Sequence, residues 1–122
     1  MINREQVYKK YDGHCAYCGK ELKFKDMQVD HQIALSNIRP TGRDIFGKLI
    51  YPDKDNILNL MPSCRMCNHY KRAYSLENFR YLIKTIHERI HAKYIVRVAE
   101  DYGIIKYHEW DGKFYFEKLI NK

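Results

Sequence analysis

An α+β fold is the architecture that this 122-residue sequence predicts, and three features carry the prediction. First, two C-x-x-C pairs, CAYC at Cys15 and Cys18 and CRMC at Cys64 and Cys67, stand 45 residues apart. In a reducing compartment such half-sites each grip a tetrahedral ion from one tight turn, so four thiolates read as a structural zinc site rather than as two disulfides or a redox dithiol. Second, Leu76, Phe79, Ile83, Ile86 and Ile90 recur at steps of three and four, the period of a helix with one apolar face. Third, IIKYHEWDGKFYFEKL sets Asp111-Gly112 between two aromatic, β-prone arms, the pattern of a β-hairpin. With 45% apolar and 14% aromatic residues there is enough for one modest core. Residues 1–122 therefore read as a single domain, with its core over about 12–73 and a helix and hairpin over 75–120.

The elements follow in order. Asn3 with Gln6 resembles a capping box, which predicts a short helix over residues 4–11. The first cysteine pair turns with the help of Gly19, and MQVDHQIAL leans to strand around Val29. Pro40, Gly42, Gly47 and Pro52 make Ser36 to Asp55 a long loop, of the length that often carries function. After Pro62 the chain turns helical through Met66 to Arg72, and Ser75 caps the long amphipathic helix that follows. No repeat or low-complexity segment interrupts this order.

Charge narrows the partners. Twenty-two Lys and Arg against 15 Asp and Glu give +7, which four thiolates around one dication reduce to about +5. That bias favours a polyanion such as nucleic acid. No apolar run is long enough to span a bilayer, and MINREQVYKKYD is too charged for a secretory signal, so the expectation is a cytoplasmic protein without a membrane partner.

Zinc would tie both ends of the intervening segment together and bring Asp30-His31 near Asn68. Asp30 offers a carboxylate and Asn68 a carbonyl oxygen, hard ligands suited to magnesium or manganese with positions left for water and phosphate. His31 points away from Asp30 on a strand, so it need not share the metal, and a neutral imidazole is a suitable base for activating water. Metal-assisted hydrolysis of a phosphodiester is the chemistry these groups can perform together. Lys71 and Arg72, three and four residues beyond Asn68, lie where they could reach phosphates beside the cut.

The order C-x-x-C, D-H, N-L, C-x-x-C-N, K, carried by Cys15, Cys18, Asp30, His31, Asn59, Leu60, Cys64, Cys67, Asn68 and Lys71, resembles the zinc-knuckle branch of the HNH endonuclease family. The resemblance covers roughly residues 12–73. It implies a ββα-metal fold in which His31 is the general base, Asp30 and Asn68 bind the catalytic ion, and Asn59 holds the loop that orients His31. It further implies double-stranded DNA as the partner and no small-molecule cofactor, and a homodimer would place two sites on opposite strands. Asn68 stands where some members have a final histidine, which implies more oxygen-rich metal binding. The same zinc frame could instead serve a DNA-binding or packaging module without catalysis. HERIH at residues 87–91 matches the H-E-x-x-H zinc-protease pattern, but three fixed positions arise easily by chance and no third ligand follows. His69 lies one step round the helix from Asn68, a phosphate contact rather than a ligand.

Overall fold

The computed structural model describes residues 2–32 and 56–120. Helix α1 (Arg4–Lys9) leads through the first cysteine pair and a 3-10 turn (Phe24–Asp26) into strand β1 (Gln28–His31). Strand β2 (Leu60–Ser63) precedes α2 (Arg65–Lys71), α3 (Leu76–Lys84), α4 (Ile86–His91), α5 (Tyr94–Asp101) and α6 (Tyr115–Ile120). The Ser36–Asp55 loop of the sequence reading lies outside the described residues. Among the described residues, no helix is long and apolar enough to cross a membrane.

Local chemistry sets the boundaries. Asn3 accepts from the Gln6 amide and starts α1, which ends at Lys9 rather than at residue 11. Ser75 caps α3 by accepting from the Asn78 amide. β1 and β2 pair antiparallel in the register Gln28 with Ser63, Val29 with Pro62, Asp30 with Met61 and His31 with Leu60. Pro62 is tolerated because a two-stranded sheet has only edges, and its carbonyl accepts from the Ala16 amide on the other side. One apolar cluster joins these pieces: Val7 of α1, Cys15 and Tyr17 of the first cysteine turn, Leu60 and Met61 of β2, Phe79 of α3, and Phe114 and Phe116 near the C-terminal end.

Two expectations are corrected. The single helix with an apolar stripe to Ile90 is broken at Thr85, whose backbone leaves helical geometry (φ −98°, ψ 9°) while its hydroxyl donates to the Tyr81 carbonyl at 2.9 Å. That bond to the preceding turn is a known cause of helix bending. Of the stripe, Phe79 is buried, Leu76 and Ile83 pack on the core, and Ile86 and Ile90 are half-buried.

The C-terminal β-hairpin is also replaced. Asp111-Gly112 does turn, with Asp111 accepting from the Lys113 amide and Gly112 at φ 81°, but the arm beyond it becomes α6. Its first amides go elsewhere: Tyr115 N–H donates to the Tyr17 carbonyl at 3.0 Å and Phe116 N–H to that of Ala16 at 2.9 Å. The β-prone arm pairs briefly with the cysteine turn instead of with a hairpin partner, because burial of Phe114 and Phe116 outweighs local strand preference.

Arg80 of α3 clips this terminal segment in place. Its guanidinium binds Glu117 through two bonds of 2.7 Å, pairs with Glu77 and donates to the Gly112 carbonyl. The bonds from Arg80 hold the Glu117 carboxyl below its usual value of 4.5. A depressed carboxyl stabilises the fold above the unfolded value and loses that contribution as pH falls through the folded one. Protection of the Phe114 and Lys118 amides from hydrogen exchange, taken relative to the free-chain rate at each pH, should therefore hold above pH 4.5 and fall in stronger acid. Arg80→Met should remove most of that acid step and weaken docking by about 1 kcal/mol, the pair being partly exposed to solvent.

Candidate functional site

The first cysteine turn is built by backbone bonds. Cys15 N–H donates to the Lys20 carbonyl at 2.9 Å, and Gly19 N–H donates to that of Cys15 at 3.0 Å. Gly19 sits at φ 82°, and a Cβ there would lie 2.7 Å from the Tyr115 ring, so both conformation and space require glycine. The second pair opens α2: Cys64 is its N-cap, and its sulfur accepts from the Cys67 amide at 3.3 Å. Cys15 Sγ accepts in turn from the Cys64 amide at 3.4 Å, which locks the two turns together.

The four sulfur atoms lie within 4.8 Å of one another, with Cys18 and Cys64 at 3.9 Å. A tetrahedral zinc with bonds of about 2.3 Å needs sulfurs about 3.8 Å apart, so the cage has the right size for a metal ion. Its electrostatics fit as well. Hydrogen bonds from Cys18 and Cys67 pull the Cys15 thiol far down, while Cys15 pushes Cys18 up to about 11 and Cys67 higher still. One sulfur takes the charge at its neighbours' expense, and four thiolates at this spacing require a dication between them.

Beside the cage, α2 lies across β1. Gln28 and Asp30 share one face of the strand, and Asn68 and Lys71 share one face of the helix. They meet rung by rung. Asn68 Nδ2 donates to Gln28 Oε1 at 2.6 Å, and Lys71 Nζ lies 3.1 Å from Asp30 Oδ2 while donating to the His31 carbonyl at 3.3 Å. Tyr17, between the first two cysteines, donates its hydroxyl to the same Asp30 Oδ2 at 2.5 Å. Burial, together with the Asp30 charge, pushes that phenol well above its usual range. Asp30 is 6% exposed and Lys71 not at all.

His31 follows Asp30 and by strand alternation faces the other way, half-buried opposite Leu60. Asn59 is fully buried, and its carbonyl accepts from the Gln32 amide at 2.8 Å, which extends the strand pairing past His31. Arg72 ends α2 with φ 52° and stands exposed.

The structure thus gathers the cysteines into one cage and sets Asn68 and Lys71 against β1, but it corrects one assignment. Lys71 cannot reach out to a phosphate while its ammonium is buried against Asp30. Tyr17 and Gln28 escaped the sequence reading: each contacts a candidate site residue, yet only the position of Tyr17 inside CAYC hinted at it. The H-E-x-x-H residues do not converge. His91 engages Glu100 at 2.8 Å, the His87 ring packs 4.6 Å from that of Tyr107, and Glu88 is exposed. Among the described residues, the group of His, Cys, Asp and Glu placed to hold a metal is the cysteine cage.

A second cation would need oxygen ligands. Both bonds to Asp30 fall on Oδ2, and the bond from Asn68 uses Nδ2. The Oδ1 atom of each, a hard donor suited to magnesium or manganese, is not consumed by them. In comparison with known proteins, the family described as HNH endonuclease matches residues 15–73. Neither the curated proteins nor the solved structures yield a match.

Proposed function

From the match of residues 15–73 to the HNH endonuclease family, we propose that the chain is a member of that family and a metal-dependent endonuclease hydrolysing DNA phosphodiester bonds. The observation that supports this reading best is the rung-by-rung meeting of α2 with β1, which sets the amide of Asn68 and the carboxylate of Asp30 on one side of the strand that carries His31. The succession β1, β2, α2 supports a ββα-metal core.

Cys15, Cys18, Cys64 and Cys67 hold a structural zinc in this reading, and Asp30 and Asn68 ligate a magnesium or manganese ion through Oδ1. Such an ion, when bound, stabilises charge on the scissile phosphate and its leaving oxygen. His31 takes the proton from the attacking water. Asn59 fixes the strand connection so that the imidazole is presented in one orientation, with Gln32 as its backbone partner. Arg72 is free of the core and remains a phosphate contact. Lys71 acts behind the site, as the buried ion-pair partner of Asp30 Oδ2.

The pairing of Asp30 with both an ammonium and a phenol also favours a second reading, a DNA-binding module that kept the scaffold and lost turnover. Nicking of supercoiled plasmid with magnesium or manganese separates the two. Cutting should require the ion and fall by about 10²–10⁴-fold in His31→Ala. A protein that shifts plasmid but leaves it uncut with either ion is the binding module instead.

A further inference from the structure

A trough of about 650 Å³ runs between the connection from the first cysteine turn to β1 and the start of α2. Four cations line it: Lys20, Lys23, Lys25 and Arg65. All are exposed, and none forms an ion pair among the described residues, although Glu21 and Asp26 line the same trough. Lys9, Arg80 and Lys118, by contrast, each sit within 3.3 Å of a carboxylate.

The ledge that carries the lysines is fixed, though most of it is irregular in backbone. Tyr8 of α1 donates its hydroxyl to the Leu22 carbonyl at 2.7 Å, and Arg4 donates to that of Met27 at 2.8 Å. Arg4 also lies over the Phe24 ring, which meets Tyr8 edge-on at 5.4 Å. Leu22 and Met27 turn inward and are buried, so the side chains left outside are mainly the charged ones. Ordering the ledge in advance reduces the entropy lost when a ligand binds along it.

Gln28 also lines the trough, and its amide oxygen accepts from Asn68 Nδ2. The cations therefore share a trough with a direct partner of Asn68, one of the residues assigned above to the catalytic ion.

We infer that this trough is the track for a DNA strand, with Lys20, Lys23, Lys25 and Arg65 contacting successive phosphates on the way to Asn68. The inference rests on the nuclease reading for its direction but not for its chemistry. A linear polyanion fits an open trough of exposed cations that form no ion pair among the described residues, whereas a free phosphate would need a converging, buried cradle. The track also takes over the role that the sequence suggested for Lys71.

Counterion release makes the inference measurable. Each phosphate contact contributes about −0.9 to the slope of log K against log salt for duplex DNA. With the zinc-loaded full chain and a short duplex, and no added magnesium or manganese, Lys23→Ala/Lys25→Ala should flatten that slope by about 1.8 and raise Kd about thirtyfold near 0.15 M salt. Arg65→Ala should flatten it by about 0.9. Lys93→Ala/Lys106→Ala, two exposed cations outside the trough, should leave it unchanged.

An unaltered slope in Lys23→Ala/Lys25→Ala, or an equal loss in the Lys93/Lys106 control, overturns the track. Plasmid cutting by the unmodified chain tests the nuclease reading separately. Cutting with an unaltered slope sinks the track alone, and the foreseen slopes without cutting sink the nuclease reading alone.

Discussion

Removing the metal from the four cysteines with a chelator should abolish cooperative thermal unfolding, and one equivalent of zinc should restore it. The cage is embedded in the core: Cys15 is fully buried, Cys64 is 3% exposed, and both belong to the cluster that includes Phe79 and Phe114. Binding of a structural zinc contributes about 10–16 kcal/mol near pH 7, which equals or exceeds the whole stability of a typical domain at about 5–15 kcal/mol. Without it, neighbouring thiols compete for charge in an apolar setting, and a long excursion from Cys18 to Cys64 is no longer closed. Cys18→Ser tests the same point mildly, because Cys18 is the exposed member. Circular dichroism melts with and without zinc make the measurement. A metal-free chain that melts as sharply and as late as the loaded one would show that packing alone holds the fold.

The second large effect belongs to Lys71. Replacing it with methionine, one atom shorter, removes the charge and leaves the Asp30 carboxylate buried with the Tyr17 hydroxyl as its side-chain partner among the described residues. Breaking one half of a buried pair costs about 3–5 kcal/mol. Lys71→Met should lose that much in urea unfolding, whereas Asp30→Asn/Lys71→Met should recover part of it, because no unpaired charge remains. Additive losses in the double variant would mean that the two groups do not depend on each other. Lys71→Arg should not rescue the fold fully, since the ammonium is wholly enclosed and a guanidinium is larger.

What could be read from the sequence follows a physical division. Spacing and local bonds were legible: the cysteine pairs, the caps at Asn3 and Ser75, and a helix through Asn68 depend on residues within a few positions of each other. What depends on distant partners was not. Lys71 read as a phosphate contact because its burial is decided by Asp30, 41 positions earlier, and by Tyr17 beyond it. Tyr115 and Phe116 looked like a hairpin arm because nothing local announces that their amides will find Ala16 and Tyr17. The split at Thr85 and the separate helix α5 were hidden behind an apolar stripe that continues across the break. For the candidate site the strand pair Asp30-His31 and the helix residue Asn68 were visible, while Gln28, which contacts Asn68, carried no sequence signal of its own, and Tyr17, which contacts Asp30, had only its place inside CAYC.

Those two amides resting on the carbonyls of Ala16 and Tyr17 also set how far the protein can be trimmed. The family match stops at residue 73, yet the turn holding Cys15 and Cys18 is backed by a segment more than forty residues further along. A fragment cut at that boundary would lose the wall behind its own metal loop, along with Phe79, Phe114 and Phe116 from the common core. The smallest piece that folds by itself therefore runs through the final helix, and excising the matched segment alone should yield an insoluble or zinc-leaking product.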